Sequence, residues 1–95
     1  MLSVDSPASA YSVQRNPQKN SIEVLYDDKN IHDEETLYEF KDDGSATARS
    51  LAWGTTTTCP PGTFSDMLVS LPKTEELNSE IGKKLAVAYR NSATA

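Results

Sequence analysis

Apolar residues alternate with polar ones along the first half of this chain and recur at a longer period along the second. Ile22, Val24 and Tyr26 alternate with Ser21, Glu23 and Leu25, a two-residue period that predicts a strand over residues 21–26. Tyr11-Ser12-Val13-Gln14 predicts a shorter strand, and the Asn16-Pro17-Gln18-Lys19-Asn20 run predicts the turn between them. A hairpin centred on Asp43-Gly44 follows, with arms over residues 35–41 and 46–53. A two-residue type I′ loop there sets Asp42 opposite Ser45, Phe40 opposite Thr47, Tyr38 opposite Arg49 and Thr36 opposite Leu51. On that register Tyr38, Phe40, Leu51 and Trp53 form the floor of the core, with Trp53 an anchor. Leu37, Glu39, Lys41, Ala46, Ala48, Ser50 and Ala52 then share the outward face. These segments give a three- to four-stranded antiparallel meander.

Residues 54–62 break the pattern, because Pro60 and Pro61 remove two amide donors and forbid a regular ladder. Beyond them the period becomes helical. Thr63 with Asp66 three residues on resembles a capping box, ahead of Phe64, Met67, Leu68 and Leu71 on one face, and Pro72 ends that helix. Thr74 offers an N-cap for a second helix over residues 75–91, with Glu75 and Glu76 at its positive end and Lys83, Lys84 and Arg90 towards its negative end. Its apolar stripe is Leu77, Ile81, Leu85 and Ala88, with Tyr89 at the margin. The expected architecture is α+β: the meander followed by two C-terminal helices packed on one face. Residues 1–10 form a flexible tail in which Ser6-Pro7 is a conceivable phosphorylation site, and residues 11–92 form a single domain.

Composition narrows the function. With 95 residues and 37% apolar content the core is small, and a partner or self-association becomes a natural source of further stability. One cysteine excludes an intrachain disulfide framework, and no run approaches the ~20 apolar residues of a membrane span. The start of the chain lacks the basic and apolar stretches of a signal peptide, so the expectation is a cytoplasmic protein with no membrane partner. The net charge of −5, with scattered Lys and Arg, disfavours direct nucleic-acid binding and suits a basic protein partner.

Candidate chemistry is sparse. Asp27, Asp28, His32, Asp33, Glu34 and Glu35 make an acidic loop, but it lacks the central glycine of a calcium loop and the second imidazole or thiolate that a transition metal wants. Cys59 has no evident base, and the four glycines are too dispersed for a phosphate loop. Residues 59–66 resemble a fragment of the cysteine-rich repeat of tumour-necrosis-factor receptors, which needs several disulfides. Residues 71–74 resemble the start of a sortase sorting signal, which needs a glycine where Glu75 stands. Neither resemblance extends along the chain.

The reading that remains is a non-enzymatic interaction module: a regulator, inhibitor or accessory factor that binds a partner protein and needs no cofactor. Its candidate contacts are Asp27, Asp28, His32, Asp33 and Glu34 in the acidic loop and Thr57, Thr58, Cys59, Pro60 and Pro61 in the stiff connection. The alternatives are a structural subunit of a larger assembly, such as a virus particle or multisubunit complex, and a small metal-dependent module.

Overall fold

The computed structural model describes residues 8–28, 34–71 and 77–94. A 3-10 turn at Ala8–Ala10 leads into five strands: β1 (Tyr11–Asn16), β2 (Ser21–Asp28), β3 (Glu34–Lys41), β4 (Ala46–Ser50) and β5 (Thr56–Cys59). They form one antiparallel sheet in the order β1-β2-β3-β4-β5. A short helix α1 (Ser65–Val69) and a long helix α2 (Ser79–Thr94) follow. The class is α+β as expected, but with five strands and one substantial helix in place of three to four strands and two.

The extra strand is β5. Residues 56–59 lie inside the segment expected to be a break, yet Thr56-Thr57-Thr58 is β-branched and pairs with β4 before Pro60 stops the ladder. At the other end of the domain, Ala8–Ala10 of the expected tail form a 3-10 turn and Ala10 packs against the core. Ser6 and Pro7 lie outside the described residues.

The hairpin register differs from the expected one by a single residue. Phe40 faces Ala46, Tyr38 faces Ala48 and Thr36 faces Ser50. The loop holds three residues, Asp42 to Gly44, because the Gly44 N–H donates to the Lys41 carbonyl and the Lys41 N–H to that of Ser45. Gly44 alone of the loop takes a positive φ, +86°, whereas a type I′ loop would demand one of Asp43 as well. Asp43 instead accepts the Ser45 N–H at 2.9 Å and the Ser45 hydroxyl at 2.6 Å, and these bonds hold its carboxyl below the ordinary range.

One residue of slip exchanges the two faces of β4. Ala46 is buried and Ala48 packs against the core, while Leu51 is 43% exposed and Trp53 70% exposed. Trp53 is therefore no core anchor, and the small-residue face is the inner one. Tyr89 explains why small residues belong there. It contacts Phe40 on β3, and its hydroxyl shares a 2.7 Å hydrogen bond with Thr57 on β5, so it must pass over the alanines of β4.

The core is built on the face that carries Tyr11, Ile22, Val24, Tyr38, Phe40, Ala46 and Cys59. Helix α2 covers it with Leu85, Ala86 and Tyr89, and Phe64 closes the end by meeting Phe40 edge-on and stacking on Tyr89. Gly82 lets α2 come close to the sheet: a Cβ there would lie 3.3 Å from that of Val13. Arg90 ties the helix to the sheet by donating to the Tyr38 and Tyr11 hydroxyls at 3.1 and 2.9 Å.

Both helices start later than the pattern predicts. The Thr63 hydroxyl donates to the Pro60 carbonyl and caps nothing, and Phe64 precedes a helix of five residues. The second helix starts at Ser79, with the Asn78 side-chain oxygen accepting the Ile81 N–H at 3.0 Å. Thr74, Glu75 and Glu76 lie outside the described residues. With that start Lys83 and Lys84 fall in the second turn, and no basic residue stands in the last turn.

Candidate functional site

Helix α2 covers one face of the sheet; among the described residues, no helix covers the other. The strand register lays that second face out in rows. Ser12, Leu25, Leu37, Arg49 and Thr56 follow one another across all five strands, and beside them run Gln14, Glu23, Glu39, Thr47 and Thr58. A third row joins Asp27 and Glu35, and the Leu51 N–H donates to the Glu35 carbonyl at 2.9 Å. Leu25 and Leu37 are half-buried neighbours, and the exposed Leu51 lies one row beyond them.

Trp53 is presented at the end of this face by a tight turn. The Gly54 N–H donates to the Ser50 carbonyl at 2.7 Å, the Trp53 N–H to the Ser50 hydroxyl at 3.2 Å, and Gly54 closes the turn at φ +74°. An exposed tryptophan on a hydrogen-bonded turn is the kind of anchor on which interfaces concentrate their energy.

Charge on this face is mostly acidic: Glu23, Asp27, Glu35 and Glu39 against Lys41 and Arg49. Hydrogen bonds from Gln14 at 2.9 Å and Asn16 at 3.3 Å hold the Glu23 carboxyl below its ordinary range, so its negative charge persists into mild acid. A face of this kind attracts a basic surface and can seal an apolar contact at its centre.

The residues expected to contact a partner fall at different places. Asp27 and Asp28 end β2 and Glu34 begins β3, near the Trp53 end of the sheet, while His32 and Asp33 lie outside the described residues. Thr57 and Thr58 are exposed on the β5 edge. Pro60 and Pro61 are exposed at the opposite end of the sheet from the acidic residues. Cys59 is buried in the core opposite Ala46, so its thiol is not on the surface of a loop. The strand ends that carry Asp27, Asp28 and Glu34 and the segment that carries Pro60 and Pro61 therefore lie at opposite ends of the sheet. Among the described residues no three His, Cys, Asp or Glu side chains gather where they could hold a metal ion.

Sequence reasoning missed Leu25, Leu37, Leu51 and Trp53 as one surface. Leu25 carried a signal, since it is an apolar residue in phase with the polar positions of its strand. No known protein family, curated protein or solved structure matches this chain. No described helix is long and apolar enough to cross a membrane.

Proposed function

We propose that this chain is a non-enzymatic interaction module that docks the bare face of its sheet onto a basic protein. One observation carries the reading: the five-stranded sheet carries Leu25 and Leu37 on the face away from α2, with Leu51 and Trp53 exposed at the end of the sheet and four carboxylates on the same face. The helix side supplies the scaffold, and the open side supplies the contact. A regulator, inhibitor or accessory factor acts in this way, by occupying a surface its partner needs. The acidic balance favours a protein partner over a phosphate backbone.

The test is photocrosslinking in the native cell, with a photoreactive residue placed in turn at Leu37, Trp53 and, as a control on the exposed side of α2, Lys84. The proposal expects one stoichiometric heteromeric adduct from the first two positions and none from the third. Adducts from Lys84 alone would refute it.

A second reading, a structural subunit of a larger assembly, is favoured by the outer edge of β5, with which no further strand pairs among the described residues. The Ser50 N–H donates to Thr55, so by antiparallel alternation Thr57 and Cys59 bond β4 while the backbone groups of Thr56 and Thr58 point away from the sheet. That edge carries no charge to discourage strand addition. Adducts of the chain with itself, together with a discrete oligomer in light scattering, would favour this reading.

A further inference from the structure

Strand β5 closes the sheet order, and Thr55, Thr56, Thr57 and Thr58 are all exposed along it. The run is β-branched, uncharged and free of proline until Pro60, so it lacks the devices that blunt an edge. The alternation set by the Ser50–Thr55 bond aims the N–H and C=O of Thr56 and of Thr58 outward, symmetrically about Thr57. An edge of this symmetry is complementary to itself after a half-turn. The Thr56 N–H then meets the Thr58 carbonyl of a second copy, the Thr58 N–H meets its Thr56 carbonyl, and the two-fold repeats both bonds. Threonine faces threonine at each of these positions, a favourable cross-strand pairing. The two Thr57 side chains meet on the α2 side, where each already shares a hydrogen bond with Tyr89.

We infer that two copies of this chain associate through β5, antiparallel about a two-fold axis at Thr57, into one ten-stranded sheet. Charge favours this edge over the rest of the sheet. The net charge of −5 opposes contact between copies through the carboxylates of β2 and β3, and β4 separates those strands from β5. Of the β4 residues opposite β5, Ala46, Thr47, Ala48 and Arg49, only Arg49 is charged. Across the junction Arg49 and Thr56 are followed by Thr58 and Thr47 of the second copy, so no like charges stand side by side. Four backbone hydrogen bonds along a short strand make a small interface, and the dimer is therefore concentration-dependent. The inference rests on the edge that favours the assembly reading. It leaves Leu25 and Leu37 open and so stands whether or not the outer face docks a protein.

The experiment joins sedimentation equilibrium of the full chain to disulfide trapping across the edge. The expected mass rises from one chain to two between roughly 10 μM and 1 mM. Thr58→Pro removes an N–H that points away from the sheet, so it should weaken association at least about tenfold and leave the thermal midpoint within about 2 °C. With diamide as oxidant, Thr57→Cys should give a linked dimer, because a non-hydrogen-bonded pair sets its Cα atoms about 4.5 Å apart. Thr56→Cys alone should link at least about tenfold more slowly, since its two copies are diagonal neighbours about 7–8 Å apart, and mixing it with Thr58→Cys should restore the link. The wild-type chain, with Cys59 buried, is the blank. A monomer at every concentration up to about 1 mM, or undiminished association of Thr58→Pro, would overturn the inference. Trapping of Thr56→Cys as fast as Thr57→Cys would overturn it too, while leaving the assembly reading in place through a different contact.

Discussion

The two faces of this sheet are made from the same five strands and differ in almost every physical respect. The inner face carries four aromatic side chains, Tyr11, Tyr26, Tyr38 and Phe40, and sets alanine at positions 46 and 48 so that Tyr89 can pass across β4. Its polar atoms are matched: Arg90 serves two tyrosine hydroxyls, and Thr57 serves Tyr89. The outer face has larger apolar residues at its centre than the inner face has on β4, and nothing among the described residues covers them. Burial follows the shape that a covering helix can fill, and apolar character alone does not decide it.

The largest expected effect tests the inner face. Leu85→Ala, at a fully buried position in the middle of α2, should lower stability by about 3 kcal/mol in a denaturant titration. Gly44→Ala comes next, at about 2 kcal/mol, because the new methyl group needs a left-handed backbone and collides with the Gly62 backbone and the Ser65 hydroxyl. That variant tests the three-residue loop itself, since the loop sets which face is inner.

Alkaline pH gives a smaller, graded effect from the same side. Burial is the main cause that pushes the Tyr38 and Tyr89 hydroxyls above the ordinary value of 10, against hydrogen bonds from Arg90 and Thr57 that lower them. The folded state therefore holds protons that the unfolded chain releases. The associated stability is complete below pH 10 and falls as the pH rises through the folded values. Above that pH the thermal midpoint should fall while tyrosinate absorbance rises. On the outer face, Trp53→Ser should change stability by no more than about 0.5 kcal/mol while abolishing the crosslinked adduct, a separation that no inner-face variant can produce.

Much of the scaffold was legible because its signals were local. The alternation at 21–26, the turn residues at 16–20 and the glycine at position 44 led to four strands and both hairpins near their observed positions. The register was not legible, because Asp43-Gly44 suits a two-residue loop and Asp42-Asp43-Gly44 suits a three-residue one. The choice between them lies in the Asp43 contacts to Ser45 and in the packing of Tyr89 over Ala48. Strand β5 was hidden by Gly54, Pro60 and Pro61 on its flanks, although its three threonines favour a strand. The bare face was invisible for the same reason as the register: a one-residue slip assigned Leu51 and Trp53 to the core and the alanines to solvent.

The chain has a single tryptophan, which makes the central claim directly measurable. Acrylamide quenching of Trp53 fluorescence, at a dilution where light scattering finds a monomer, reports whether this part of the outer face is open. The account predicts emission close to that of free tryptophan in water, with quenching nearly as efficient as for the free amino acid. A blue-shifted, shielded tryptophan in the monomer would contradict it.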